Sequence, residues 1–374
     1  MFSTRAQWNA ATNRLTHARQ AFAGELLDLT ISNPTKAGID YPLDELSDVM
    51  ARAARAPYDP QPLGLRSARE TIARELGCDA DDIVITASTS EAYSYLFKLL
   101  CDPGDTMLTA TPSYPLLEHL AALESIELRS FALDLHQRWE IDINRLRSAL
   151  TDRTRAILVV NPNNPTGSYV SAAEQEQIAR IGMTVISDEV FHPFAFGDGG
   201  PSFVRDDVLT FTLGGLSKSA GLPHYKLGWI RVSGPGKRDA INALEWIADN
   251  FLSVATPVQI ALPELFAIAP KIREAIQRRT SANLSTLRAM AGRALAVRLL
   301  PVEGGWSAVI RVPRFEPDEA LALRLIEEHG VVIHPGYFFD FAAEGHVVVS
   351  LLTTPDIFAS GIARLLEMVN LHAD

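Results

Sequence analysis

Between residues 83 and 232, seven short apolar runs rich in β-branched residues alternate with stretches of helical character. No other feature constrains the fold as strongly. The runs are 83–87 (IVITA), 106–110 (TMLTA), 126–132 (IELRSFA), 156–160 (AILVV), 184–187 (TVIS), 208–213 (VLTFTL) and 229–232 (WIRV). Amphipathic segments such as 90–101 (SEAYSYLFKLLC) and 171–181 separate most of them. Strands that are apolar throughout and spaced by helices pack as a largely parallel sheet covered on both faces. The pattern predicts an α/β fold with a large, doubly wound domain built on seven strands. Helical stretches follow at 237–252 and 270–299. Strands expected at 308–312, 331–333 and 347–352 then surround a helix at 317–328, with a closing helix near 358–369. That second pattern is a smaller α+β domain. The expected division is 1–40 as an N-terminal arm and part of the small domain, 41–265 as the large domain, and 266–374 as the small one.

Charge and cysteine content remove several function classes. Thirty-four basic residues against 45 acidic ones leave a net charge of −11. Such a surface repels phosphate backbones, and no long Lys/Arg run makes a local exception, so nucleic acid is not an expected partner. No apolar run reaches the ~18 residues of a membrane helix. The first 20 residues also lack the apolar segment of a secretion signal. A cytoplasmic protein without a membrane partner is expected. Cys78 and Cys101 are too few for a disulfide framework or a four-ligand zinc site. They read as buried thiols of a reducing compartment. No metal is expected, because the acids carry no His/Asp/Glu cluster at ligand spacing.

Ligands of parallel sheets bind beyond the carboxyl ends of the strands, so the residues that follow each run are the informative ones. After IVITA come Ser88, Thr89 and Ser90, at the start of a helix. Hydroxyls beside unpaired N–H groups suit a phosphate, and a plain helix cap explains the same residues. AILVV runs into NPNNPTG at 161–167, a rigid turn in which three asparagines exceed what a turn requires. TVIS ends in Asp188 and Glu189. VLTFTL leads to Gly215-Leu216-Ser217-Lys218-Ser219, which sets a lysine among small residues at the end of a core strand. Lysines belong mostly to surfaces, but a desolvated one loses its proton readily and becomes a nucleophile. A phosphate site, an amide, a carboxylate and an amine at successive strand ends are the groups that pyridoxal 5′-phosphate (PLP) requires.

On these residues the chain resembles the fold-type I, PLP-dependent class I and II aminotransferases over nearly its whole length. The supporting strings are NPNNPTG at 161–167, SDEV at 187–190 and GLSKSAGL at 215–222, with Tyr58, GLRSAR at 64–69 and PSYP at 112–115 upstream. The resemblance implies that Lys218 carries the cofactor as a Schiff base and moves the proton at the substrate carbon. It implies that Asp188 keeps the pyridine nitrogen protonated, that Asn164 donates to the phenolic oxygen and that Tyr114 stacks on the ring. Ser88, Thr89, Ser90, Ser217 and Lys226 would hold the phosphate, and Tyr58 would reach the phosphate of a second subunit in a homodimer. Asn33 and Tyr337 are the expected substrate contacts, although a turn and core packing, respectively, explain them as well. The expected substrates are an amino donor, an amino acid in the first instance, and a 2-oxo acid. Two rivals share the motifs. A C–S lyase would use the same lysine, acid and phosphate cradle. A PLP-binding regulator needs a DNA-binding domain, for which the segment before Tyr58 is too short.

Four positions depart from the family pattern. Phe191 stands where a tyrosine often supplies a second donor to the phenolic oxygen. With one donor fewer, that oxygen stays more basic and holds the neighbouring proton more tightly. The visible absorbance of the cofactor-loaded protein is therefore expected to titrate at higher pH than in Phe191→Tyr; equal midpoints would contradict this. Lys226 replaces an arginine and keeps the charge without the bidentate fork, and Gly215 stands where the lysine motif usually begins with Ser. Val348 occupies the place of the arginine that clamps a substrate carboxylate. The sequence leaves three alternatives: Arg311 substitutes for it, backbone groups near Asn33 suffice, or the substrate has no carboxylate at that point.

Overall fold

The computed structural model describes residues 2–6 and 12–370. Residues 1, 7–11 and 371–374, which fall in the expected arm and at the end of the small domain, lie outside the described part. The large sheet contains β1 (Ile83–Thr86), β2 (Thr106–Thr111), β3 (Glu127–Ala132), β4 (Thr154–Val160), β5 (Thr184–Asp188), β6 (Thr210–Gly215) and β7 (Gly228–Ser233). Their order is β1-β7-β6-β5-β4-β2-β3. Every expected run is one of these strands, with ends displaced by one or two residues. The five strands from β6 to β3 pair in parallel, while β7 is antiparallel to both β1 and β6. The exception has a local cause. A parallel return needs a long crossover, whereas β6 and β7 are joined by a one-turn helix (Leu216–Ser219) and a tight turn (Pro223–Tyr225).

Helices cover both faces, as the apolar strands require. In the large domain they include α1 (Arg66–Leu76), α2 (Thr89–Leu100) and α3 (Lys237–Asp249). On one face Phe97 of α2 and Leu244 of α3 pack over Ile186, Phe211 and Ile230. On the other, Ile72 of α1 joins the first half of α4 (Thr256–Ala291), whose Leu262 and Leu265 pack with Ile85 and Trp229. β3 lies at the sheet edge with Glu127, Arg129 and Ser130 exposed, and charge on an edge discourages pairing with another chain.

α4 corrects the expected helix at 270–299. It runs unbroken for 36 residues, with Pro263 and Pro270 inside it. A proline removes one helical hydrogen bond and signals a break in sequence. Here the burial of Leu262, Leu265, Ile268 and Ile272 holds the helix together across both prolines. Its last turns, through Leu284 and Leu287, enter a second core with Leu29, Ile310, Val347 and Phe358.

That second core belongs to an antiparallel sheet of β8 (Arg298–Leu299), β9 (Ser307–Arg311), β10 (His334–Pro335) and β11 (His346–Ser350), in the order β8-β9-β11-β10. α5 (Asp318–His329) and α6 (Pro355–Asn370) pack beside it. Leu27–Asp28 pairs in parallel with Val331–Val332 and brings the N-terminal segment into this unit. Both cysteines are free and half-buried rather than fully buried. Among the described residues no helix is long and apolar enough to cross a membrane, and no cluster could hold a metal ion.

Candidate active site

The carboxyl ends of β4, β5 and β6 and the start of α2 open onto one cavity of about 470 Å³, closed on the far side by residues of the small domain. A volume of this order suits a small organic ligand.

One corner gathers groups that suit an anion. Ser88 caps α2, its Oγ accepting the Glu91 N–H at 3.2 Å. The N–H groups of Thr89 and Ser90 have no partner within the helix, and both residues line the cavity. The cap is thus made by Ser88, while Thr89 and Ser90 face the cavity. Ser217 and Lys226 line the same cavity from the β6–β7 connection. The three segments approach closely because two residues lack side chains. A Cβ on Gly228 would lie 3.0 Å from the carbonyl carbon of Ser88, and one on Gly215 would lie 3.2 Å from the Cα of Gly228.

Asp188, the last residue of β5, is buried at the cavity wall. Its carboxylate accepts the Tyr93 hydroxyl at 2.7 Å and the Val190 N–H at 3.1 Å. Burial pushes this carboxyl above its ordinary range, while the Tyr93 hydrogen bond and then the Val190 one pull it back. Tyr93 was not singled out from the sequence. The available signal was its spacing, four residues after Thr89 and so on the same helical face. The neighbouring acid has another task. Glu189 accepts from Ser187, Ser202 and the Phe203 N–H and braces the sheet.

The three asparagines divide in the same way. Asn161 donates to Glu189 and to the Pro201 carbonyl, and its Oδ1 accepts the Val170 N–H. Asn163 donates to the Pro112 carbonyl and to Thr166. Of the three, only Asn164 lines the cavity. Asn161→Ala would leave buried groups unpaired, at a cost of about 2–4 kcal/mol. Its urea midpoint is expected to fall, whereas that of ligand-free Asn164→Ala stays at the wild-type value. Equal midpoints for the two variants would contradict this division.

Lys218 sits in the one-turn helix after β6. Its Nζ donates to the Ser32 carbonyl at 3.3 Å and lies 5.2 Å from the Trp306 ring centroid and 5.8 Å from that of Phe191. Desolvation lowers its pKa below the usual lysine value, partly offset by the negative charge of Asp188. Phe191 and Trp306 meet edge to face at 5.1 Å, and Tyr114 stands at the rim.

Three expectations are corrected or relocated. Asn33 does not line the cavity; its side chain caps the turn Pro34–Lys36 by accepting from Thr35, and Thr30 and Ser32 line the cavity instead. Tyr337 is exposed, its hydroxyl 3.5 Å from Glu319, and Phe338 and Phe339 line the cavity in its place. The segment Gly336–Phe339 is a 3₁₀ turn, which points consecutive side chains in different directions. Arg311 does not substitute for the missing arginine. It lies exposed at the end of β9, in a separate groove with Arg298 and Arg314. Tyr58 is 75% exposed and lies outside the cavity of its own chain. Val348, by contrast, lines the cavity as expected from its place in β11. Among the described lining residues the lysines are Lys218 and Lys226, and there is no arginine.

Comparisons with known proteins bear on the family and the fold. The family model for aminotransferase class I and II matches residues 24–357. The chain is 26% identical over 375 residues to the alanine aminotransferase of Mycobacterium tuberculosis, covering 92% of this chain and 86% of that protein. It is 30% identical over 253 residues to the glutamate-pyruvate aminotransferase AlaA of Escherichia coli, covering 64% and 62%. Its match to nicotianamine aminotransferase 1 of Oryza sativa is 34% identical and spans about half of that relative, 49%, with 59% of this chain. The fold is shared with the solved alanine aminotransferase of Pyrococcus furiosus, at TM-score 0.89 and 24% identity with 99% of each chain covered. It is shared also with an aspartate aminotransferase of Thermotoga maritima, at TM-score 0.85 and 21% identity over 99% and 100%. With the model match spanning most of its length, the chain belongs to the class I and II aminotransferase family.

Proposed function

We propose that this cavity binds PLP and that the protein exchanges an amino group between an amino donor, in the first instance an amino acid, and a 2-oxo acid in a ping-pong cycle. One observation carries the proposal: a desolvated lysine and a buried carboxylate face a single cavity from adjacent strand ends, β6 and β5. The residues present fit the cofactor. Thr89 and Ser90, with Ser217 and Lys226, match a phosphate. Asp188 matches a protonated ring nitrogen, Asn164 a phenolate oxygen, and Tyr114 a ring face. The close approach at Gly215 and Gly228 gives the anion corner its shape.

When bound, PLP supplies an aldehyde that reacts with amines and a ring that accepts the electron pair left at a substrate carbon. The chain's own residues do the rest. Asp188, its orientation fixed by hydrogen bonds from Tyr93 and Val190, would hold the proton on the ring nitrogen. The Lys218 amine would hold the cofactor through its aldehyde and, when free, would move the proton at the substrate α-carbon. Phe191 and Trp306 keep water from that amine.

The same proposal includes a small domain assembled from both chain ends, with α4 passing between the two cores. It also includes a cytoplasmic homodimer in which Tyr58, exposed on its own chain, serves the partner's phosphate. The test is to mix cofactor-loaded protein with a panel of amino acids and amines and follow loss of the visible absorbance. Stoichiometric pyridoxamine phosphate and the matching oxo acid are expected. Release of ammonia or pyruvate without that conversion would contradict aminotransfer and favour the C–S lyase alternative.

A further inference from the structure

The small-domain wall of the cavity carries no charge to match a substrate carboxylate. It presents Trp306 and Ser307 around the start of β9, His334 and Phe338 from β10 and the turn after it, and Val348 and Ser350 from β11. The strand register sets His334 and Val348 directly opposite each other, and Val348 is fully packed at 1% exposure. The His334 ring lies 5.7 Å from Phe338 and 5.8 Å from Phe339. Burial pushes its pKa down to about 4, so the imidazole is neutral near pH 7. The Ser350 hydroxyl already donates to the Ile31 carbonyl. On the aminotransfer proposal, the two lysines of the lining are committed to the cofactor: Lys218 to its aldehyde and Lys226 to its phosphate. A carboxylate set against this wall would be desolvated without a cation, whereas a ring or alkyl group would gain from burial there.

We infer that the substrate is recognised through an uncharged apolar group, aromatic by preference, lying against Trp306, Phe338 and Val348, and that its carboxylate is not a recognition element. Primary arylalkyl amines without a carboxylate are then substrates at least as good as the matching amino acids. This inference rests on the aminotransfer proposal and narrows its substrate class.

The experiment compares 2-phenylethylamine with L-phenylalanine, which differ only in the carboxylate, in the first half-reaction of the cofactor-loaded enzyme. The rate constant for loss of visible absorbance, divided by the half-saturating concentration, is expected to be equal or larger for the amine. A preference for L-phenylalanine of tenfold or more overturns the inference while leaving aminotransfer intact. Conversion by neither these two nor any amine or amino acid of the wider panel refutes aminotransfer itself, and the inference with it. Binding without turnover supplies a second readout. By calorimetry, 3-phenylpropionamide is expected to bind the loaded enzyme at least as tightly as 3-phenylpropionate; a tenfold advantage for the carboxylate would overturn the inference. Val348→Arg is expected to shift the rate ratio at least tenfold towards L-phenylalanine, and an unchanged ratio in a folded variant counts against the inference. Because Val348 is buried, the wild-type comparisons are decisive even where that variant does not fold.

Discussion

Lys218→Ala is expected to yield a folded protein whose amino-transfer rate is lower by at least about 10⁴-fold. Two functions end together: the amine that bonds the cofactor aldehyde, and the base that moves the proton at the substrate carbon. Little stability is at stake. The side chain makes one hydrogen bond, 3.3 Å to the Ser32 carbonyl, and its ammonium is desolvated rather than salt-bridged. Removing it leaves no buried carboxylate without a partner, since Asp188 keeps Tyr93 and the Val190 N–H. The unfolding midpoint of the cofactor-free variant should match wild type within the ~0.5 kcal/mol usual for such substitutions. On addition of PLP, the visible band of a lysine-bound cofactor should not develop. Lys218→Arg separates charge from nucleophilicity, because it keeps a cation near Trp306 and is also expected to be inactive. A Lys218→Ala protein that retained the band, or more than a few per cent of the rate, would show that another amine does the work.

Asp188→Asn is the second large effect, with an expected loss in kcat of about 10²–10³-fold, the scale at which removal of one preorganised electrostatic contact acts. The side chain keeps its size; its amide oxygen accepts the Val190 N–H and its NH2 donates to the Tyr93 oxygen, so both contacts of the carboxylate are kept. What disappears is the negative charge that holds a proton on a ring nitrogen. Asp188→Ala adds a different cost. It leaves the Tyr93 hydroxyl buried without its partner, worth about 1–3 kcal/mol, so its unfolding midpoint should fall where that of Asp188→Asn does not. Single-turnover rates together with urea unfolding distinguish the two contributions. An Asp188→Asn enzyme with wild-type kcat would remove the carboxylate from the chemistry.

The seven strands were legible because buried parallel strands require continuous apolar runs, and ends set by such runs can drift by only a residue or two. Lys218 and Asp188 were legible because a polar residue at the end of such a run has little structural reason to be there, whereas Asn164 was distinguished from its two neighbours only by the family resemblance. Other features were hidden by local rules that tertiary packing overrides. Pro263 and Pro270 look like helix boundaries, but buried leucines and isoleucines on both sides hold α4 together. The three asparagines of the 161–167 turn look alike in sequence. Which of them brace the backbone depends on Pro112, Glu189, Val170 and Pro201, all remote from a local window. Asn33 and Tyr337 were placed a residue or more from the side chains that line the cavity, since the direction of a side chain in a one-turn segment is not periodic. Tyr93 was legible in principle, through its helical spacing from Thr89, but only once α2 was known to abut Asp188.

Chemical trapping of the cofactor linkage tests the central claim most directly. The protein loaded with PLP is reduced with borohydride, digested, and its peptides are weighed by mass spectrometry. The reduced cofactor is expected on the peptide containing Lys218, with one equivalent per chain and none on Lys226. Modification of a different lysine, or of none, would contradict the assignment of this cavity as a PLP site built around Lys218.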